Sequence, residues 1–226
     1  MFRGLIDLLF PEVCSSCECS LLEGEKVLCT RCRHDLPVCN WKDHQQNFVS
    51  DKLKGRVKLN FADALLYFEK GNKTQSLLHD LKYKGQENIS RYLGLWHAEN
   101  LKQMDWSKDI DYIIPVPTHP KRRRERGYNQ VEGYAKAIQQ VLGCGYSDEL
   151  LQRKNFSKTQ VFKNRLSRTE VIEHNFILNP AEKYFGKHIA LTDDLITTGA
   201  TAEACFIQLS KLKDVRLSLI VMAVAA

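Results

Sequence analysis

The stretch IALTDDLITTGAT, residues 189–201, decides the fold. Its first residues, Ile189 to Leu191, are apolar, as is typical of a buried strand. Asp193 and Asp194 follow at once, and a threonine-rich turn then leads into a pattern that predicts a helix over residues 202–212. In a parallel sheet, ligands bind beyond the carboxyl ends of the strands, where loops lead into helices. The stretch is therefore predicted to form a strand, a ligand-binding turn and a helix.

The two aspartates and the turn complement each other chemically. Ionised carboxylates only accept hydrogen bonds, so Asp193 and Asp194 suit neighbouring ribose hydroxyls or the water shell of Mg²⁺. The turn offers hydroxyls and backbone N–H groups at a helix N-terminus, where the dipole favours an anion such as a 5′-phosphate. Each half alone is equally typical of an ordinary strand end or N-cap, but their direct succession favours a binding site. The turn residues are Thr197, Thr198, Gly199, Ala200 and Thr201.

Strand-like and helix-like segments alternate along the rest of the chain. Strands are predicted at residues 61–68, 112–115, 189–191 and 215–224, and helices through 77–81, 92–101, 128–142 and 202–212. This alternation predicts an α/β fold with a largely parallel sheet flanked by helices. The chain has 226 residues, of which 43% are hydrophobic, so it suits one ordinary domain with a small addition.

The N-terminal part is rich in cysteine. Six of the eight cysteines lie between residues 14 and 39, and four of them form two Cys-x2-Cys pairs separated by eleven residues. Two such pairs can present four thiolates to one ion in tetrahedral geometry, and a small segment with little core needs this crosslink to fold. The pattern predicts a structural zinc site with ligands Cys14, Cys17, Cys29 and Cys32. Cys19, Cys39 and His34 are near enough in sequence to replace one of the four.

Composition suggests the division of the chain and its compartment. We expect a zinc ribbon with a short N-terminal helix over residues 1–42, a polar and basic linker over 43–60, and the main domain over 61–226. Cys144 and Cys205 stand apart and are predicted to be buried free thiols, which is typical of a cytoplasmic protein. The net charge of +6 permits phosphates or nucleic acid as partners without requiring them.

Four segments, taken together and in order, resemble the ComF/GntX-like competence family. They are the head CSSCECSLLEGEKVLCTRCRHDLP, residues 14–37, then LLHDLKYKG, 77–85, then IIPVPTHPKRRRERGYNQ, 113–130, and finally residues 188–200. The last segment resembles the thirteen-residue phosphoribosyl-diphosphate (PRPP) motif of type I phosphoribosyltransferases. The resemblance implies a phosphoribosyltransferase-like fold, in which Asp193 and Asp194 bind the ribose with Mg²⁺ and the threonine turn holds the 5′-phosphate.

The same resemblance leads to predictions for the diphosphate. Guanidinium groups grip phosphate oxygens in bidentate fashion, and the strand-end loop after residue 115 is followed by a basic run. The predicted diphosphate-binding residues are Val116, Pro117, Thr118, Arg122, Arg126 and Lys82. Residues 154–168 are basic and rich in polar side chains, and we expect a lid there with Lys158, Gln160, Arg165 and Arg168. No acceptor pocket and no general base are recognisable in the sequence.

Two functions from different classes follow. The family resemblance implies a PRPP-dependent, phosphoribosyltransferase-like protein that supports natural transformation, handling incoming single-stranded DNA at the inner face of the membrane with other competence proteins. The alternative is a non-catalytic nucleic-acid-binding adaptor whose zinc module and basic loops contact phosphates, with PRPP as a regulatory ligand or none. A purely structural zinc protein would leave the acid pair and the threonine turn unexplained.

Overall fold

The computed structural model describes residues 11–154 and 175–226. The helix predicted within the first ten residues lies outside the described residues, and so do the four predicted lid residues, Lys158, Gln160, Arg165 and Arg168. Among the described residues, none of the helices combines the length and the apolar character that crossing a membrane requires.

A five-stranded parallel sheet forms the centre of the molecule. Its strands, in spatial order, are β1 (Phe61–Phe68), β7 (Arg216–Ala225), β6 (His188–Ile196), β2 (Tyr112–Pro115) and β3 (Gly145–Tyr146). All four neighbouring pairs are parallel. A separate antiparallel pair joins β4 (Leu151–Arg153) to β5 (Phe176–Leu178). The predicted fold class, a largely parallel sheet flanked by helices, is confirmed.

Seven α-helices are described around these strands. They are α1 (Thr30–His34), α2 (Phe48–Asp51), α3 (Lys73–Tyr83), α4 (Asn88–Leu101), α5 (Pro120–Arg126), α6 (Glu132–Leu142) and α7 (Ala200–Leu209). Short 3₁₀ helices cover Asp105–Asp109 and Glu182–Tyr184. One apolar cluster contains buried side chains of α3, α4 and α6, and a second contains those of α7 and β4. The two clusters occupy opposite faces of the sheet, which is why β7 is buried along nearly its whole length.

The strand predicted at residues 189–191 is longer than expected. β6 continues to Ile196 because β7 offers a ten-residue partner, and the ladder still pairs Asp193 with Val221 and Leu195 with Ala223. Both aspartates therefore lie inside the strand rather than after it. Since successive side chains of a strand point to opposite faces, Asp193 and Asp194 face different sides of the sheet.

Two helices, α6 and α7, have boundaries that differ from the prediction, and one further helix, α5, was not predicted. α6 begins at Glu132 rather than at residue 128, because the preceding residues fold into a loop around the buried side chain of Asn129. α7 covers residues 200–209 instead of 202–212. The basic run forms α5, which Pro120 opens and Gly127 ends in the left-handed conformation, at φ +84°.

Residues 43–60, the predicted linker, contain α2 with a full capping box at Asn47. Val49 and Leu53 are completely buried in the same apolar cluster as α7. Asn47 also donates a hydrogen bond from Nδ2 to the carbonyl of Ala62 at 2.8 Å, which ties this segment to β1. The polar composition of the segment conceals these few apolar anchors, and the predicted domain boundaries themselves stay predictions.

Candidate ligand-binding site at the carboxyl end of the sheet

Asp194 is the centre of a polar network near the carboxyl end of β6. Its Oδ2 lies 3.0 Å from the Nζ of Lys82 and accepts a hydrogen bond from Nε2 of Gln130 at 2.9 Å. Arg126 donates in turn to Oε1 of Gln130 at 2.6 Å. The Asp194 side chain is 8% exposed and that of Lys82 is 22% exposed, so the ion pair is only partly screened by solvent. One cation and one amide thus contact this carboxylate, and a second cation is linked to it through the amide.

Asp193 lies in a different environment, on the other face of β6. Its Oδ1 accepts the backbone N–H of Asp194 at 2.8 Å. Burial, followed by the charge of neighbouring Asp194, raises the pKa of Asp193 to about 8, while Lys82 and Arg153 oppose this rise. Close carboxylates resist simultaneous ionisation, and a bound cation or hydroxyl donors would relieve the repulsion. A group that supplies positive charge or hydrogen-bond donors to Asp193 would therefore lower its pKa.

The threonine turn joins β6 to the N-terminus of α7. Gly199 caps this helix in the left-handed conformation, at φ +83°, which glycine adopts without strain. Thr197, Thr198 and Thr201 are exposed there, with the positive end of the helix dipole behind them, and Oγ1 of Thr198 accepts the backbone N–H of Ala200 at 3.5 Å. The predicted phosphate-binding residues therefore come together at one helix end.

A residue that the sequence analysis did not select supports this turn from behind. Arg56, in the predicted linker, donates from Nη2 to the carbonyl oxygen of Thr198 at 2.7 Å and to that of Lys52. Its Nη1 pairs with Oε2 of Glu203, in the first turn of α7, at 2.5 Å. Leu53 packs so closely that a Cβ on Gly199 would lie 2.9 Å from its Cδ2. The contacts of Arg56 with Thr198 and Glu203 span more than 140 positions, so no local pattern could reveal them.

The loop between β2 and α6 carries the predicted diphosphate residues. Buried Asn129 accepts the hydroxyl of Thr118 at 2.6 Å and donates to the carbonyl of Val116 at 3.3 Å, which fixes the loop against the sheet. His119 caps α5 by accepting the backbone N–H of Lys121 at 3.2 Å. The basic side chains of α5 are consequently presented from a short helix, none of whose residues is buried.

Two clefts lie on this edge of the molecule, one on either side of the loop. The first has a volume of about 340 Å³ and is lined by Lys82, Tyr83, Arg122 and Arg126, among others. The guanidinium of Arg126 stacks over the ring of Tyr83 at 5.4 Å. Three predicted diphosphate residues, Lys82, Arg122 and Arg126, thus share one cleft, and Lys82 among them pairs with Asp194. Pro117 and Thr118 line the second cleft, which extends toward Arg153.

Four sulfur atoms converge in the N-terminal module. The Sγ atoms of the predicted ligands Cys14, Cys17, Cys29 and Cys32 all lie within 4.8 Å of one another. A tetrahedral ion with bonds of about 2.3 Å to sulfur requires sulfurs roughly 3.8 Å apart, and Cys17 and Cys29 are 3.7 Å apart. The backbone N–H of Cys29 points at the Sγ of Cys14, at 3.3 Å, which stabilises a thiolate there. The donor set fits zinc.

The three alternative zinc ligands differ in their position relative to the four sulfur atoms. Cys19 lies beside the cluster, with its Sγ 3.1 Å from that of Cys17. His34 has an 89% exposed side chain directed at Asp35. Cys39 lies elsewhere, where burial and the charge of Asp63 raise its pKa to about 12. Of the sequence alternatives, only Cys19 is placed near the four sulfurs.

The N-terminal module packs firmly on the main domain. The buried sulfurs of Cys14, Cys29 and Cys32 belong to the same apolar cluster as α3 and α4. Arg33 of α1 places its guanidinium 4.7 Å from the ring centre of Trp96 on α4, within range of a cation–π interaction. The cysteine cluster therefore stabilises a module that is continuous with the main core.

No family model matches the chain. Aligned stretches of 120–132 residues are 28% identical to the DNA utilization protein YhgH of Escherichia coli O157:H7, 29% to competence protein F of Haemophilus influenzae, and 32% to competence protein ComFC of Streptococcus pneumoniae. The chain is a relative of the ComF competence proteins. The resemblance that the sequence segments predict is thereby confirmed.

These alignments are partial. They cover 55%, 55% and 53% of this chain and 56%, 56% and 49% of the respective relatives, so the chain spans about half the length of the curated relatives that it matches. Among solved structures, the fold is similar to that of adenine phosphoribosyltransferase from Leishmania tarentolae, with 10% identity and a TM-score of 0.40. That match covers 82% of this chain and 94% of the enzyme.

Proposed function

We propose that the protein binds PRPP at the carboxyl end of β6 and acts as a phosphoribosyltransferase-like component of natural transformation. One observation carries the proposal: the acid pair near the end of β6 is followed by a glycine-capped helix N-terminus, while Lys82 and Gln130 contact Asp194 and Arg126 contacts Gln130. Each chemical part of PRPP then has a counterpart. The carboxylates suit the ribose hydroxyls, the turn suits the 5′-phosphate, and the basic cleft suits the diphosphate.

Mg²⁺ suits the same end of the sheet, since the carboxylate of either Asp193 or Asp194 is a hard oxygen donor. When bound, it would neutralise charge on the diphosphate. The protein's own contribution is to hold C1 of the ribose in place and to set cations around the leaving group. In the transfer, a bond from an acceptor to C1 forms as the C1–O bond breaks, and pyrophosphate leaves with the electron pair.

Zinc at the four-cysteine cluster has a structural role in this proposal. The relatives' names refer to DNA utilization and competence, which supports a role for this chain in handling incoming single-stranded DNA with other competence proteins. Such a role places the protein in the cytoplasm, at the inner face of the membrane.

A non-catalytic nucleic-acid adaptor is the second candidate. Helix α5 favours it, because all five of its lysine and arginine residues are on a helix with no buried side chain. Such a surface suits a phosphate backbone, and binding through it would weaken steeply with salt. The adaptor and the transferase differ in whether pyrophosphate is released.

The deciding experiment is calorimetric titration of the zinc-loaded protein with PRPP and Mg²⁺, followed by an assay of the mixture for pyrophosphate. Binding with pyrophosphate release on addition of an acceptor supports the transferase. Binding without release supports an adaptor or sensor. Undetectable binding at millimolar PRPP would remove the ligand assignment altogether.

A further inference from the structure

The second cleft shares Pro117 and Thr118 with the proposed PRPP site but extends to Arg123, Arg124 and Arg153, which the PRPP proposal does not use. It has a volume of about 530 Å³, within the range of ordinary small-molecule sites, and lies between the loop after β2, helix α5 and strand β4. Arg123 and Arg124 line it from α5, and Arg153 lines it from the end of β4. We call it the β4 cleft.

Arg153 is the most fixed of these cations. Its guanidinium lies 5.4 Å from the ring centre of Phe176, the residue opposite it in the β4–β5 pair. Burial, and then the charge of Arg122, lower the pKa of Arg153, and Asp193 acts on it in the opposite direction. Arg153 nevertheless stays charged, as arginines in proteins do. A partly buried guanidinium of this kind is a stronger phosphate ligand than one in open solvent.

The walls of the cleft are as informative as its charges. Pro115, Pro117 and Leu151 provide flat apolar surface, and the ring of Tyr146 adds an aromatic wall. Such surfaces suit a planar ring, because aromatic and apolar side chains stack on nucleic-acid bases. The cleft therefore combines phosphate-binding groups with a place for a ring.

The acidic side chains that line the cleft favour a nucleotide over a simple anion as its ligand. Glu132 is engaged by Lys136 at 2.6 Å, but Asp148 also lines the cleft and is exposed. A bare phosphate or pyrophosphate can use the arginines of the cleft but has no N–H donor for the Asp148 carboxylate. A nucleotide carries N–H donors on its base as well as phosphate oxygens, and so satisfies a carboxylate and guanidinium groups together.

The β4 cleft also shares a wall with the proposed PRPP site. Thr118 lines the cleft, and its hydroxyl lies 3.4 Å from Oε1 of Gln130, whose Nε2 donates to Asp194. Only the Thr118 side chain therefore lies between a ligand in the cleft and Gln130, which contacts Asp194.

From these observations we propose that the β4 cleft binds a nucleoside monophosphate unit, with its phosphate on Arg124 and Arg153 and its base against the apolar wall. The inference rests on the proposed function and names its second ligand. The unit could come as a free nucleotide or as part of a single strand, since both present the same phosphate, sugar and base.

The test uses the full zinc-loaded chain and two probes, deoxyadenosine 5′-monophosphate and a short fluorescent single-stranded oligonucleotide. Arg153→Gln and Arg124→Gln are compared with Lys121→Gln, a matched control that removes the same charge from α5 but lines neither cleft. Both arginine variants should weaken binding by about tenfold or more, whereas the control should change it less than about threefold. Arg124 is exposed, so its variant stays folded even if Arg153→Gln does not.

The outcomes separate the sources and the proposals. Arginine-dependent loss with both probes supports the cleft and a free nucleotide, and loss with the oligonucleotide alone supports the cleft with a strand as the source. Equal loss in all three variants, or no binding of either probe to the unaltered protein, overturns the inference. PRPP affinity is measured in parallel: arginine-dependent nucleotide binding without PRPP binding would overturn the proposed function and leave the cleft standing.

Discussion

The Nζ of Lys82 lies 3.0 Å from Oδ2 of Asp194 and connects the end of α3 to the end of β6. A lysine at the end of a helix commonly complements the helix dipole, but here its charge is directed at a buried carboxylate. Gln130 shares the same oxygen and links it to Arg126. Three separate segments of the chain therefore meet at one carboxylate oxygen.

Replacing Lys82 should weaken PRPP binding selectively. Lys82→Gln removes a cation from the proposed diphosphate cleft and from Asp194, and we expect PRPP affinity to fall by about tenfold or more, as for other charge-assisted contacts. Lys84→Gln is the matched control, because Lys84 pairs with Asp80 instead, at 3.1 Å, and is half exposed. Calorimetry measures both. Equal affinities in the two variants would contradict the placement of the diphosphate.

Asp193 should make the ligand-free protein less stable as pH rises. Its pKa is raised to about 8 in the folded state, so between its ordinary value and pH 8 the folded protein holds a proton that the unfolded chain has released. The folded state then binds more protons, and the free energy of unfolding falls as pH increases through this range.

The variant Asp193→Asn removes this effect. We expect its melting temperature to exceed that of the unaltered protein by roughly a few °C at pH 8.5 and to approach it near pH 4. The exposed control Asp105→Asn should produce a much smaller change, since the Asp105 side chain is 97% exposed. A melting-temperature difference for Asp193→Asn that does not grow between pH 4 and pH 8 would show that the carboxyl is ionised in the folded protein.

Gly199 should tolerate a side chain less well than other left-handed glycines. Gly199→Ala forces alanine to φ +83° and brings its Cβ within 2.9 Å of Leu53 and of the Lys52 carbonyl, whereas a Cβ on Gly143, at φ +72°, meets nothing within 4 Å. Left-handed strain alone costs about 1–2 kcal/mol, so Gly143→Ala should lose that much. Gly199→Ala should lose more in urea unfolding. Equal losses would mean that the turn can move away from α2.

Zinc content should distinguish the two exposed thiols. Cys17→Ser removes one of the four converging ligands, whereas Cys19→Ser removes a neighbour that lies outside the four. We expect Cys19→Ser to retain one zinc per chain and Cys17→Ser to lose it to a mild chelator, as measured by metal release with a chromogenic dye. Retention of zinc by Cys17→Ser but not by Cys19→Ser would show that Cys19, and not Cys17, is the zinc ligand.

Strands β1, β2, β6 and β7 and the cysteine cluster could be predicted from the sequence because their signals are local, whereas the two- and three-residue strands β3, β4 and β5 were not predicted. The largely apolar residues of β1 and β7 predict strands buried on both faces, and the spacing of the two Cys-x2-Cys pairs predicts a tetrahedral metal site. The end of β6 was not accessible in this way. Polar aspartates look like the end of a strand, and only the length of β7 shows that the ladder continues through Asp193.

The site was predictable in part for the same reason. The acid pair, the turn and the basic run each have a local pattern, whereas Gln130, Arg56 and Arg153 enter through contacts between distant segments. For α5 the signal was present, since Pro120 and Gly127 bracket the basic run as the first turn and the C-cap of a helix do. The basic side chains of the run are equally typical of a surface loop.

The N-terminal module has a consequence for the edge of the sheet. β1 is an outer strand, and the segment after α1 pairs with it: Cys39 donates its N–H to the carbonyl of Leu65, and Tyr67 donates to that of Pro37. Unpaired strand edges invite association between chains. By holding this segment in place, the cysteine cluster keeps the edge of β1 covered, although β1 lies more than thirty residues from Cys14 in sequence. Disruption of the cluster is therefore expected to expose this edge and to promote self-association.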